Sequence, residues 1–250
     1  MRRRSASAEK NKIRNSAGEQ FVIGHRGAAG IAPENTLKSF RLGLESPAAA
    51  VECDIRLTKD GKLVAFHDSA LERTTNGKGR VSDYGLEELK KLDAGGGEKI
   101  PEISEVANLV KNYGKILVIE IKAENDILAE ETSEVLCDII KAGPLFPEFQ
   151  FCSFLSTAVK KLKKKFPSRR AVLNFKGAAA PDKILGMLGE TGASAAGVEC
   201  PFATVTLAEI LRENAFGLNV WTANDEDTFR KMVSIGAGGI FTDFPGKFSL

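Results

Sequence analysis

The chain has 250 residues, of which 43% are hydrophobic and 27% are charged, and its formal net charge is +2. This length and composition exclude an intrinsically disordered protein and allow one large globular domain or two small ones. The near-neutral charge gives no strong field for nucleic acid, and no apolar run approaches the roughly 18 residues that a membrane span requires. We therefore expect a globular protein that neither binds nucleic acid nor spans a membrane.

The N-terminal segment differs in composition from the rest of the chain. Residues 1–20 are rich in Arg, Lys, Ser and Asn and lack the apolar stretch of a secretory signal. We predict a flexible arm there, followed by a single domain over residues 21–250. An organelle-targeting segment is the alternative, although Glu9 and Glu19 argue against it. The four cysteines are widely separated, which is typical of reduced thiols and favours a cytoplasmic location.

Beyond the arm, strand-like and helix-like segments alternate. The predicted strands cover residues 21–25, 51–57, 63–67, 115–122, 149–154, 170–175, 194–200, 216–221 and 238–242. The predicted helices cover residues 35–46, 86–92, 103–112, 126–142, 156–166, 181–189, 205–215 and 225–235. If 63–67 extends the second strand, eight β/α units remain, the count and length of a (β/α)8 TIM barrel. A doubly wound open sheet is the alternative.

One interval between strands is unusually long. From Val51 to Lys115 the chain runs about twice the usual distance, and the excess, about residues 68–101, contains the strong turn signal Asn76-Gly77 and a short helix. A long excursion after the second strand would project at the carboxyl end of a barrel, where loops build active sites. We predict a small insertion that lies over the pocket.

Acidic residues alternate with apolar ones in two of the predicted strands. In 51–57 the apolar set would face the helices, so Glu52 and Asp54 would point into the barrel. In 115–122 the same pattern places Glu120 and Lys122 inside. Carboxylates on a buried face repel each other unless a cation lies between them.

Three inward acids on neighbouring strands form a set of hard oxygen donors. Such a set suits Mg²⁺ or Ca²⁺, whereas zinc is disfavoured because no Cys or additional His lies nearby in sequence. The alternative is a structural network in which Glu52 and Asp54 pair with Arg56 and Lys122.

Both histidines of the chain, His25 and His67, follow a predicted strand, and Arg26 adjoins the first. Two imidazoles can act as an acid/base pair near neutral pH. Together with a cation and an arginine they suit a tetrahedral anionic centre, which indicates phosphoryl transfer from an ester.

These motifs resemble those of the glycerophosphodiester phosphodiesterase family. The resemblance is carried by His25-Arg26-Gly27, Pro33-Glu34-Asn35-Thr36, Glu52-Cys53-Asp54, His67-Asp68, residues 71–79, Glu88-Leu89, Leu92-Asp93-Ala94-Gly95, Ile100-Pro101, Glu120-Ile121-Lys122, Trp221-Thr222 and Thr242-Asp243-Phe244-Pro245. It covers nearly the whole chain after the arm, in residue type, spacing and order. It implies a TIM barrel with an insertion after the second strand.

The resemblance also implies roles for individual residues. A divalent cation would be held by Glu52, Asp54 and Glu120, while His25 and His67 would serve as acid and base. The neighbouring glycerol hydroxyl would attack phosphorus, and water would then open the cyclic phosphate. Which histidine acts first as base is open.

Three further residues have roles by the same resemblance, and a fourth, Trp221, is a candidate because it ends a predicted strand. Arg26 and Lys122 would contact phosphate, and Glu34 would lie in the site. Trp221 either packs in the core or forms an aromatic wall over the glycerol carbons. Between the fourth and sixth strands the match is loose, since Asn174 and Glu199 hold rim positions without an obvious family role.

The expected function is metal-dependent hydrolysis of glycerophosphodiesters to an alcohol and sn-glycerol 3-phosphate, in phospholipid breakdown. A lysophospholipase D-like activity on larger, more apolar esters is one alternative. A catalytically silent barrel that acts as a binding scaffold is another, although none of the expected histidines or acids is missing.

Overall fold

The computed structural model describes residues 20–143 and 147–250, so the predicted arm lies outside the described residues apart from Gln20. The strands are β1 (Phe21–Gly24), β2 (Ala50–Leu57), β3 (Leu63–Ala65), β4 (Ile116–Ile121), β5 (Phe149–Ser153), β6 (Ala171–Phe175), β7 (Ala195–Glu199), β8 (Gly217–Trp221) and β9 (Gly239–Thr242). All except β3 pair in parallel, and β1 pairs with both β9 and β2. This closed ring of eight parallel strands confirms the TIM barrel and excludes the open sheet.

Helices follow the strands around the outside of the barrel. They are α1 (Leu37–Glu45), α2 (Leu86–Leu89), α3 (Ile103–Tyr113), α4 (Asp126–Ala142), α5 (Ser156–Lys165), α6 (Pro181–Thr191), α7 (Val205–Glu213) and α8 (Glu226–Ser234). Four of them begin with a side chain that accepts a hydrogen bond from the amide three residues on: Thr36, Asn125, Thr204 and Asp225. Such caps satisfy amides that the helix itself leaves unpaired. Among the described residues, no helix is long and apolar enough to cross a bilayer.

The alternation of side chains along the strands separates two apolar layers. Val51 and Cys53 of β2 belong to the larger cluster, which also contains helix residues such as Phe40 and Val106. A smaller cluster inside the ring includes Ile23. Because successive side chains point to opposite faces of a strand, the acids of β2 face the barrel interior, as the sequence predicts.

The prediction that residues 63–67 extend the second strand is wrong. β3 runs antiparallel to the end of β2, with Leu63 opposite Leu57 and Ala65 opposite Ile55. A short apolar run has the same appearance in either orientation, which is why the sequence did not distinguish them. The reversal matters for the site, since it carries the chain back until the Phe66 amide donates to the Asp54 carbonyl.

Residues 68–101 pack around a small apolar cluster of their own. It joins β3 to the segment through Val64, Phe66, Leu71, Val81, Leu86, Leu89, Ala94 and Ile100. The segment contains a 3₁₀ turn at Val81–Asp83 and the short helix α2. The division into arm, barrel domain and insertion stays a prediction.

Candidate active site

The turn after β1 presents His25 and Arg26 to a cavity at the mouth of the barrel. Gly27 has a φ of +88°, and a Cβ there would lie 2.5 Å from the Ser39 carbonyl carbon. A Cβ on Gly24 would lie 2.1 Å from the Gly27 oxygen. The glycines are therefore required for the turn to close against α1.

The three predicted acids converge. Asp54 of β2 is in register with Glu120 of β4, and Glu52 precedes Asp54 by one pleat. One carboxylate oxygen from each lies within 4.8 Å of the others, and all three residues are buried. Glu52 Oε1 has no polar partner among the described residues, and Asp54 Oδ1 and Glu120 Oε1 each contact the ammonium of Lys122. Buried carboxylate oxygens with so few partners in one cluster fit a divalent cation.

Basic side chains balance part of this negative charge. Lys122 Nζ forms ion pairs with Glu120 Oε1 at 2.5 Å and with Asp54 Oδ1 at 3.3 Å. Arg26 Nε lies 3.2 Å from Asp54 Oδ2. The carboxylate oxygens therefore keep lone pairs for a further ligand.

The pKa values of the acids diverge in opposite directions. Burial, together with the charges of Asp54 and Glu120, raises the pKa of Glu52 well above its usual range. Burial also acts to raise the pKa of Asp54, but the charges of Lys122 and Arg26 outweigh it and hold that pKa below its usual range. An additional positive charge would relieve the repulsion that Glu52 experiences.

His25 is oriented by a carboxylate that directly follows the last strand, β9. Its Nδ1 lies 2.7 Å from Asp243 Oδ1. Asn224 fixes that carboxylate by donating to Asp243 Oδ2 over 2.6 Å and by accepting the Asp243 amide over 2.8 Å. With Nδ1 engaged, Nε2 is the ring nitrogen left for a ligand in the cavity.

His67 has a parallel arrangement on the other side of the acids. Its Nδ1 lies 2.5 Å from Asp68 Oδ1, and Arg73 Nε donates to Asp68 Oδ2 over 2.5 Å. The hydrogen bond from Arg73 lowers the pKa of Asp68 to about 2. Burial lowers the pKa of His67, which favours the neutral imidazole. Each histidine thus has an aspartate on Nδ1.

Glu34 lies between two arginines rather than in the cavity. It accepts from Arg26 NH1 over 2.8 Å and takes a bidentate contact from Arg73 over 2.6 and 2.9 Å. Arg26 is therefore held between Glu34 and the acid cluster. Sequence reasoning found Arg26 and Glu34 but gave Arg73 no role in the site.

One half of the alternative structural network, the pairing of Arg56 with Glu52 and Asp54, is wrong. Arg56 donates to the His67 carbonyl over 2.8 Å and to Glu124 over 2.6 Å, not to Glu52 or Asp54. Arg56 is the penultimate residue of β2, two positions beyond Asp54. The pairing with Lys122, the other half of that alternative, is present.

The cavity has a volume of about 460 Å³. It is lined by His25, Arg26, His67, Glu120, Lys122, Phe154, Asn174, Lys176, Glu199, Trp221, Thr222 and Phe241. Trp221 is therefore a wall residue, in edge-to-face contact with Phe154 at 5.6 Å between centroids. Sequence reasoning missed Phe154 and the part played by Asp243. The position of both directly after a strand was the available signal, since parallel strand ends meet at one mouth.

The family model named glycerophosphoryl diester phosphodiesterase family matches residues 25–247. The chain belongs to this family. It is 33% identical to a glycerophosphodiester phosphodiesterase of Caldanaerobacter subterraneus, covering 90% of this chain and 94% of the relative. It is also 33% identical to one of Bacillus altitudinis, covering 90% and 95%. The chain is accordingly an enzyme of the phosphoric diester hydrolase class.

A solved structure gives the same picture of the fold. A phosphodiesterase of Oleispira antarctica, in complex with the product sn-glycerol-3-phosphate, superposes with a TM-score of 0.85 at 31% identity. The match covers 92% of this chain and 95% of that one.

Proposed function

We propose that this protein hydrolyses glycerophosphodiesters to an alcohol and sn-glycerol 3-phosphate with the help of one divalent cation, as a step in phospholipid breakdown. The observation that carries the proposal is that His25 and His67 line one cavity together with Glu120, which belongs to the buried acid cluster. Membership of the family supports the same reaction.

Glu52, Asp54 and Glu120 are the residues that would hold the cation. Their carboxylate oxygens are hard donors, which favours Mg²⁺ or Ca²⁺. When bound, a divalent ion neutralises charge on phosphoryl oxygens and makes phosphorus more electrophilic. Arg26 and Lys122 would contact the remaining phosphate oxygens, since both line the cavity beside the acids.

The two imidazoles supply proton transfer. One, in its neutral form, takes the proton of the glycerol hydroxyl next to the phosphate, so that this oxygen can attack phosphorus. The other, protonated at first, gives its proton to the departing alcohol. Their roles reverse when water opens the cyclic phosphate, and both histidines return to their starting states. The aspartates on Nδ1 keep each Nε2 available for this exchange.

A second candidate is lysophospholipase D-like hydrolysis. Exposed apolar side chains stand in the loops that follow β1, β5 and β7, namely Ile31, Phe154 and Phe202. An acyl chain on the substrate could lie against them.

The arrangement of the chain is also part of the proposal. Residues 21–250 would form one catalytic domain with the insertion at 68–101, and residues 1–20 would be a separate arm of a cytoplasmic protein.

The test measures release of sn-glycerol 3-phosphate after chelation and after return of each cation. The substrates are the glycerophosphodiesters of choline, ethanolamine and inositol, together with a lysophospholipid. We expect no turnover in excess chelator and recovery with Mg²⁺ or Ca²⁺. Full activity in chelator would reject the role of the acids, and preference for the lysophospholipid would favour the second candidate.

A further inference from the structure

The cavity wall opposite the acid cluster carries polar groups with one protein partner or none. Asn174 of β6 is 8% exposed, and its amide makes no hydrogen bond with any residue that the structure describes. The indole Nε1 of Trp221 is buried and also unpartnered. Glu199 of β7 accepts one hydrogen bond, from the Gly177 amide over 2.7 Å through Oε2. Buried polar groups are rarely left unpaired unless a ligand or water completes them.

These three groups occupy adjoining strands. Asn174 is in register with Gly197 of β7, and Glu199 is in register with Trp221 of β8. A Cβ on Gly197 would lie 2.1 Å from Asn174 Oδ1, so the glycine leaves the space that the amide occupies. The amide is thereby held over β7, and it lines the cavity together with Glu199.

The chemistry of the unpartnered atoms selects a class of ligand. The indole N–H is a donor, the free Glu199 oxygen is an acceptor, and the Asn174 amide is both. An ammonium only donates and a carboxylate only accepts, so neither satisfies these three groups; the exposed Lys176 at the same rim is the one lining group there that would pair with an anion. A hydroxyl does both. A quaternary ammonium is further disfavoured because Lys122 Nζ already lies 5.4 Å from the centroid of the Phe154 ring.

We infer that Asn174, Glu199 and Trp221 form a subsite that binds the terminal hydroxyl of the glycerol half of the substrate, with Asn174 and Glu199 as specificity-determining residues. The inference rests on the proposed function and adds the reason for a glycerol requirement. The aromatic ring of Trp221 covers the carbon chain, while the polar atoms around it bind oxygen.

The first test compares two phosphate monoesters by calorimetry. sn-Glycerol 3-phosphate has the terminal hydroxyl, and propane-1,2-diol 1-phosphate lacks it. Wild-type protein should bind the former about 10- to 100-fold more tightly, the range for a hydrogen bond to a charged group. Glu199→Gln and Asn174→Ala should each remove most of that preference. Gln can still accept the Gly177 amide, so the first variant should keep its fold.

Glu209→Gln is the matched control, since Glu209 is an exposed carboxylate on α7, the helix that follows β7. It should bind both esters like the wild type. Thermal unfolding of all three variants identifies any loss of fold. Equal binding of the two esters by wild-type protein overturns the inference without reference to a variant.

The second test uses the ethanolamine and choline diesters of both backbones. The wild type should show a higher KM for the deoxy backbone, with the same ratio for either alcohol, and Glu199→Gln should lose this discrimination. A variant effect that follows the alcohol instead would place the residues at the leaving group and reject the inference. Failure of the proposed function looks different, because the wild type would then hydrolyse none of the four diesters.

Discussion

The cavity has two walls with different electrostatics: a charged wall formed by β1, β2 and β4, and a far wall formed by β6 to β8. On the side formed by β1, β2 and β4, Arg26 and Lys122 balance three buried carboxylates. On the side formed by β6 to β8, the polar groups are the Asn174 amide, the Trp221 indole N–H and the Glu199 carboxylate, with Lys176 and Thr222 directly after the strands. The charged wall suits a substrate group that carries charge. The far wall suits a neutral, hydroxylated group.

The difference also determines how strongly substitutions in each wall affect folding. Removing one partner from a buried ion pair leaves an uncompensated charge, which commonly costs about 3–5 kcal/mol. Substitutions at Arg26 or Lys122 therefore disturb folding as well as chemistry. The far wall has few internal pairs to lose, so variants there report on recognition alone.

The largest effect should follow from breaking the proton transfers at the charged wall. His25→Ala and His67→Ala should each lower kcat by about 10²–10⁴, the usual range for a general acid or base. Neither ring is needed for packing in the core, since both side chains are partly exposed at 18% and 31%. Unfolding curves should therefore stay close to the wild type.

The double variant His25→Ala/His67→Ala tests whether the two histidines act together. Because the two imidazoles act in one proton exchange, the loss in the double variant should be far smaller than the product of the single losses. Turnover like that of the wild type in either single variant would remove that histidine from the mechanism.

A smaller effect should come from the support of the acid cluster. Asn35 donates to Asp54 Oδ2 over 2.8 Å and has a φ of +57°, a conformation that glycine also tolerates. Asn35→Gly should weaken binding of Mg²⁺ or Ca²⁺ about 10- to 100-fold, as expected for loss of an outer partner of a metal ligand. Metal titration by calorimetry measures this, and Asn214→Gly, at the exposed end of α7, is the control. Unchanged affinity in Asn35→Gly would show that Asp54 needs no such support.

The charged wall was predictable because its signals are local. Alternation along β2 and β4 gave the inward direction of Glu52 and Glu120, and the parallel pairing of neighbouring strands then brings them together. The bounds of α4 match the prediction, since Asn125 caps its start and Gly143 follows its end. In each case a few adjacent residues carry the information.

The parts that the sequence did not reveal depend on distant contacts. Asp243 reaches His25 across 218 positions of the chain, and no pattern near either residue encodes that pairing. The far wall likewise combines Asn174 with Trp221 from separate strands. The orientation of β3 was missed for another reason, because hydrophobic periodicity does not distinguish a parallel from an antiparallel neighbour.

The smallest effect concerns the protonation of His67. Burial, with the positive charges of Lys122 and Arg26 adding to it, outweighs the opposing pull of Asp54 and lowers the pKa of His67. The chain has only two histidines, so untagged His25→Ala protein contains a single imidazole. Its ring-proton NMR titration, in metal-free buffer, should have a midpoint below about 6.5 in the folded state and near 6.5 in urea.

The same shift fixes the direction of a stability change. A folded-state pKa below the unfolded value means that the unfolded chain takes up a proton more readily as the solution is acidified. The contribution of His67 to the free energy of unfolding is therefore complete above about pH 6.5 and is lost as the pH falls through the folded-state pKa. Urea unfolding of His25→Ala and of His25→Ala/His67→Ala, compared at each pH in this window, isolates the contribution of His67 to the free energy of unfolding. A midpoint at or above 6.5, or a difference between the two proteins that grows on acidification, would mean that the charge of Asp54 governs this histidine more than its burial does.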